Sequence, residues 1–295
     1  MRRRLQRLHA ACLCAALALL AAHAHADSGH HPLWTVKGAH NTLYLLGSVH
    51  VLKSGDRELP DGALEAYAHA ATLVMEVDLN KARTAALGES SLKLGALPEG
   101  QTLAQVLGPD AYQTFVAHAR PLGVDPELVS RLQPWFVAML LLRLEYTHMG
   151  YDFESGVESQ LAQLAAADGK PIIGLETVDE QLGLFAHLSL AEQRRFLLYT
   201  LEDADETPQI IDEMVGAWRR GDAAALNAVL SRGFDEFPEL YAPLTSDRNR
   251  RWLPTLTRLL HERQDCLVVV GALHLVGRDG VLELLRKQGY MVTQH

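Results

Sequence analysis

Twice in this chain an apolar run with strand character breaks on a glycine and presents a histidine three residues later. Leu43-Tyr44-Leu45-Leu46 leads into Gly47-Ser48-Val49-His50, and Leu267-Val268-Val269-Val270 leads into Gly271-Ala272-Leu273-His274. Short, continuous apolar runs are the text of strands buried on both faces, as in the parallel sheets of α/β proteins. Ligands of open α/β sheets bind just beyond the carboxyl ends of such strands. Histidine titrates near neutral pH and is the commonest metal ligand. Two such segments, far apart in the chain and built alike, predict one shared site on one sheet.

The surrounding text fits that architecture. Leu33–Val36 and Leu43–Leu46 flank the polar turn 37–41, a hairpin signal. An alanine-rich helix over Ala63–Ala70 and a short apolar strand over Thr72–Val77 make Leu43–Val77 read as a βαβ unit. Helical text dominates from about 81 to 241, with Pro134 at a first helical position, a helix over Val157–Ala167, and helices over Ala191–Leu201 and Asp205–Arg220. A strand over Lys170–Leu175 interrupts it, its proline marking a strand start or a sheet edge. The C-terminal part reads as a helix over Trp252–Arg263, the strand Cys266–Val270, a helix over Gly280–Lys287 capped by Asp279, and a last strand over Tyr290–Thr293. The expected organisation is a single α/β domain over 27–295 with a large helical insertion at about 81–241.

Residues 1–26 read as a secretory signal peptide. Arg2, Arg3, Arg4 and Arg7 form a basic start, Ala10–Ala22 an apolar stretch, and Ala24-His25-Ala26 a small-x-small cleavage site. The apolar stretch is shorter than the roughly 20 residues a membrane span requires. The expected location is periplasmic or secreted, with no stable span after cleavage. The chain holds 27 Lys and Arg against 36 Asp and Glu; without the four arginines of the signal, 23 bases face 36 acids, a net charge of −13. That balance argues against nucleic-acid binding. Cys266 is the one cysteine beyond the signal, and it lies in an apolar strand, where it reads as core.

Four polar residues share the end of a predicted strand: His50, Glu76 after Leu73-Val74-Met75, Glu176 after Ile172-Ile173-Gly174-Leu175, and His274. If the strands are parallel neighbours, these side chains gather on one rim. Two imidazoles with one or two carboxylates suit a divalent metal, which lowers the pKa of bound water and polarises a carbonyl. Glu76 sits in an apolar run, where a carboxylate is costly unless paired or bound to a cation. Glu176 has a second reading as a cap for a helix beginning near Thr177. Asp78 follows the same strand as Glu76 and can substitute for it, and Glu158, two residues after Gly156, reads as an acid supporting the site or as an exposed helix start. Arg248-Asn249-Arg250-Arg251 reads as a solvated helix start or as a clamp on a substrate oxygen. Ser48 is a candidate nucleophile, although its spacing fits no Gly-x-Ser-x-Gly elbow. A Walker-type phosphate loop and a His-Glu-x-x-His helix are both missing.

Taken together, Leu45-Leu46-Gly47-Ser48-Val49-His50, Val74-Met75-Glu76, Gln133-Pro134-Trp135, Gly174-Leu175-Glu176-Thr177, Arg248-Asn249 and Val269–Gly277 resemble the TraB/PrgY/GumN family, whose animal relatives are the Tiki proteases. The signal peptide suits the exported, GumN-like bacterial branch. The resemblance implies a central mixed, largely parallel sheet of the erythromycin esterase/ChaN-like type. It also implies metal-dependent hydrolysis of peptide or protein substrates with manganese or cobalt, zinc being a further option. By motif match, His50, Glu76 and His274 take metal or catalytic roles, with Glu176 a further ligand, and Arg248 and Asn249 support catalysis. Two other readings share the site: metal-independent ester hydrolysis through a histidine and Glu76, and capture of a peptide, haem or glycan without turnover.

Overall fold

The computed structural model describes residues 31–82, 85–202, 207–235 and 237–295. The signal-peptide reading therefore falls outside the described residues. Among the described residues no helix is long and apolar enough to cross a membrane.

A six-stranded sheet forms the centre. Its strands are β1 (Leu33–Lys37), β2 (Thr42–Ser48), β4 (Thr72–Met75), β6 (Ile172–Gly174), β7 (Cys266–Gly271) and β8 (Val292–Gln294), in the order β6-β4-β7-β2-β1-β8. The strands β3 (Leu52–Lys53) and β5 (Tyr151–Asp152) pair separately. The run β6-β4-β7-β2 is parallel throughout, and β1 alone runs against its neighbours β2 and β8. The expected mixed, largely parallel α/β sheet is thus what forms.

The predicted hairpin is present, with Leu33 opposite Leu46 and Gly38 N–H donating to Asn41 O at 2.9 Å. The predicted βαβ unit also forms, but β2 and β4 are not neighbours, because β7 inserts between them. Only a segment more than 190 positions further on could fill that slot, so the local pattern had no means of announcing it. Pro171 does precede an edge strand, as expected, since β6 ends the sheet.

The period of two along a strand explains the layers. Leu46, Leu73, Met75, Leu267 and Val269 face the helices Ala63–His69 and Val157–Asp168 and the indole of Trp218. Leu43, Leu45, Val74, Val268 and Val270 face the helices Asp247–Leu259 and Val281–Lys287. With both faces covered, each strand needs apolar residues at successive positions, which is why β7 is buried along its whole length. A third apolar cluster, drawn from residues between Leu97 and Leu201, packs the helices Leu103–Leu107, Pro109–Ala119, Pro134–His148 and Leu190–Glu202 among themselves. Within 81–241, β6 and the helix Val157–Asp168 join the sheet instead.

Two C-terminal expectations need correction. The helix expected over Trp252–Arg263 runs over Asp247–Leu259 and follows directly on a π-helical turn, Ala242–Ser246. Arg248 and Asn249 therefore occupy its first turn and are buried, so this is no solvated helix start. Asp279 does not cap the following helix: the cap residue is Gly280, without a side-chain hydrogen bond, and Asp279 O accepts Asn249 Nδ2 at 2.9 Å. Arg248 is held there by Glu76 and Glu176, and because the preceding turn is already helical no free helix N-terminus opposes its charge.

Candidate active site

The four adjacent parallel strands β6, β4, β7 and β2 end on the same rim, and each delivers one of the four polar residues. Glu176 lies two residues past β6, Glu76 one past β4, His274 three past β7 and His50 two past β2. His274 sits within a single helical turn, Ala272–Leu275, that starts directly at the end of β7.

The meeting point is Gly271. A Cβ placed on this residue would lie 3.3 Å from Glu76 Oε1, 3.5 Å from His50 Nε2 and 3.7 Å from His274 Cδ2. His274 Nε2 is 3.8 Å from Glu76 Oε1. The Gly271 N–H donates to Glu76 Oε1 at 2.8 Å. Glycine at the end of β7 thus leaves the space into which three side chains from distant parts of the chain converge.

Each imidazole is held through Nδ1 and offers Nε2 to this space. His274 Nδ1 pairs with Asn249 Oδ1 at 2.7 Å, and its ring lies against Trp252 with centroids 4.5 Å apart. His50 Nδ1 pairs with Glu158 Oε1 at 2.7 Å. Such partners fix the ring and the site of its proton. Ser48 is buried, and its hydroxyl donates to Glu158, so it is not aligned as a nucleophile beside a base.

Arg248 organises the acids. Its Nη2 donates to Glu76 Oε2 and to Glu176 Oε1, each at 2.5 Å, and its Nε donates to Glu176 Oε2 at 3.2 Å. Nη1 donates to His274 Nε2 at 2.9 Å. Gln181 Nε2 donates to both acids at 3.1 Å. Glu176 is therefore a partner of Arg248 and stands away from the imidazoles. It caps no helix either, because Thr177 and Glu180 form a reciprocal capping box on Val178–Ala186. Arg248 and Asn249 do come to the site, as ties between its members. Asp78 instead pairs with Lys81.

The charges follow from burial. Burial opposes the charge on Glu76, but His274, Arg248, His50 and the Gly271 amide overcome it and hold the carboxyl at about 2. Burial pushes His274 down to about 4, outweighing the attraction of Glu76. His274 is consequently neutral at pH 7, and Arg248 is the neighbour that keeps Glu76 ionised. The Glu158 carboxylate raises His50 to about 9 against the opposing effect of burial. Burial also works against Arg248, and Glu76 and Glu176 more than restore its charge.

Glu76 and Glu176 face the buried Arg248 guanidinium, and Glu158 faces His50. The two imidazoles and Glu76 Oε1 gathered at Gly271 are a donor set chemically suited to a divalent cation. Among the described residues, no three His, Cys, Asp or Glu side chains are close enough to hold an ion as they stand. Arg248 stands among them, bonded to His274 Nε2 and to Glu76 Oε2.

Gln181 and Trp252 carried no motif and were not expected at the site. Trp252 had a signal: it is four residues after Arg248, on the same helix face, and the guanidinium lies 4.7 Å from its ring centroid. Gln181 had none, since its amide is placed by Glu76, 105 positions away, together with Glu176.

The TraB/PrgY/gumN family model matches residues 32–294. Among curated proteins, the uncharacterized protein YbaP of Escherichia coli (strain K12) is 26% identical over 264 residues, covering 88% of this chain and 94% of that one. Metalloprotease TIKI2 of Xenopus tropicalis is 24% identical over 315 residues, covering 88% of this chain and 59% of TIKI2. Metalloprotease TIKI1 of Danio rerio is 23% identical over 314 residues, covering 88% of this chain and 62% of TIKI1. No solved structure shows a significant match, so the erythromycin esterase/ChaN-like type stays an implication of the resemblance.

Proposed function

This chain belongs to the TraB/PrgY/gumN family, and from that premise we propose that it is a metal-dependent hydrolase acting on peptide or protein substrates. The carrying observation is the convergence of His50 Nε2, His274 and Glu76 Oε1 on Gly271, each imidazole being tied back through Nδ1. The two Tiki relatives are metalloproteases, which supports the same reading.

In this reading His50, His274 and Glu76 hold the ion. Manganese or cobalt follows from the family resemblance, and the nitrogen and oxygen donors also suit zinc. When bound, the ion supplies an activated water and polarises the scissile carbonyl. Glu76, held near 2, stays ionised throughout the physiological range and serves as ligand better than as proton acceptor. Arg248 orients Glu76 through a charge-assisted bond, Glu176 and Gln181 hold Arg248 and Glu76 in register, and Asn249 keeps the His274 proton on Nδ1 so that Nε2 faces the site. Export to the periplasm or medium is part of the proposal and rests on residues 1–26.

Metal content and peptide cleavage of the wild type and of His50→Ala, Glu76→Ala and His274→Ala test the reading. Loss of bound metal and of cleavage in each variant is expected. Undiminished cleavage in all three would overturn it, and turnover that resists EDTA would favour metal-independent ester hydrolysis through a histidine and Glu76.

A further inference from the structure

Glu158 stands in the first turn of Val157–Asp168, buried at 8% exposure. A carboxylate there is favoured by the helix dipole, but a buried carboxylate is costly unless its oxygens are matched. Only one is matched. Oε1 receives both the Ser48 hydroxyl and His50 Nδ1, whereas Oε2 is buried with no hydrogen-bond partner. All the compensation for burying this charge is thus directed at the tetrad that ends in His50.

The residues just before Glu158 grip the same segment. Val157 N–H donates to Val49 O at 3.2 Å. A Cβ on Gly156 would lie 2.2 Å from His50 O and 2.7 Å from its carbonyl carbon, a closeness that only glycine allows. Backbone and side chain of His50 are therefore both fixed from one three-residue corner, more than 100 positions away in sequence. The need is specific to this histidine. His274 is enclosed, while the His50 side chain keeps 60% of its surface exposed. An exposed ring on a loop is free to turn and to carry its proton on either nitrogen, and a charged acceptor holds it more firmly than a neutral amide does.

We propose that Glu158 is the positioning residue for His50, fixing the ring and the proton on Nδ1 so that Nε2 is presented to the site. The proposal deepens the metal-hydrolase reading and rests on it.

Two measurements on the intact protein decide it. In protein labelled with ¹⁵N-histidine, His50 shows a downfield, carboxylate-bonded Nδ1 proton in the wild type and in Ser48→Ala, and loses it in Glu158→Ala; a wild type without that signal overturns the proposal, whatever the protein does with metal. For Zn²⁺ affinity, read by competition with a chromophoric chelator, Glu158→Ala weakens binding about 10- to 100-fold. Glu158→Gln, which keeps an acceptor, restores part of it. Unchanged Zn²⁺ affinity in Glu158→Ala would show a merely structural carboxylate and sink the proposal while leaving the metal site standing. A wild type that takes up no Zn²⁺, Mn²⁺ or Co²⁺ would instead sink the metal reading, and the proton signal alone would then decide the role of Glu158.

Discussion

Arg248 Nη2 donates to Glu76 Oε2 at 2.5 Å although 172 positions separate the two residues, and both side chains are more than nine-tenths buried. The pair joins the first turn of the helix Asp247–Leu259 to the end of β4, and Glu176 brings β6 to the same guanidinium. Removing the cation leaves two buried acids unpaired. Arg248→Ala is expected to destabilise the protein by about 3–5 kcal/mol. Arg248→Lys keeps the charge and loses the fork, so its cost should lie between that value and zero. Urea unfolding monitored by circular dichroism measures both, and equal stability of Arg248→Ala and wild type would contradict the arrangement.

The metal-free protein should lose stability on acidification. Burial places His274 at about 4, below the 6.5 of an unfolded chain, so from about pH 6.5 down to 4 the unfolded state binds a proton that the folded state refuses. Stability falls across that window, by up to roughly 3 kcal/mol. Glu76 adds to the fall at lower pH, since its contribution is full above about 4.5 and disappears as pH drops through 2. On the alkaline side His50, raised to about 9, contributes below 6.5 and ceases to contribute as pH rises through 9. Urea midpoints of the metal-free protein from pH 4 to 10 should trace a maximum near neutrality, and His274→Gln should flatten the limb between 6.5 and 4.

Gly271→Ala tests the convergence without touching any donor. The backbone angle there, φ −49°, suits any residue, so the fold should survive with a loss of about 1 kcal/mol or less. The new methyl group would stand between Glu76 Oε1, His50 Nε2 and His274. Metal affinity and peptide cleavage are expected to drop at least about tenfold, the scale of other disturbances to a metal site's immediate surroundings. Unaltered affinity, measured by calorimetry, would place the ion elsewhere.

Trp218 braces the first tetrad from behind. Its Nε1 donates to Gly47 O at 2.8 Å from a position of 1% exposure. Trp218→Phe leaves that buried carbonyl without the bond and should cost about 1–3 kcal/mol, beyond any loss from the smaller ring. A lowered urea midpoint with an unchanged slope is the expected signature.

Much of the rim was legible before any coordinates. Each of β2, β4, β6 and β7 is an apolar run closed by a turn, and placing a polar residue just past each run locates His50, Glu76, Glu176 and His274 correctly on the end of the sheet. The pairings were not legible. Arg248 and Asn249 read as a solvated helix start or as a clamp on a substrate oxygen, because four polar residues in a row have no periodicity, and the burial of Arg248 depends on two acids that neighbouring strands supply. The Asn249 amide holds His274 on one side and Asp279 O on the other. Glu158 read as an acid supporting the site or as an exposed helix start, since nothing local says that His50 will lie above it.

By itself, then, the amino-acid order determined the six strands of the central sheet and the polar residue just past four of them, because alternation, glycine breaks and apolar runs are local properties. Tertiary structure alone decided that β7 separates β2 from β4 and that Arg248 ties Glu76 to Glu176. It alone decided as well that Gly271 leaves room for three converging side chains. Those outcomes depend on contacts between segments more than 70 positions apart, whose free energy is set by burial and charge pairing at a distance and leaves no periodic trace in either partner.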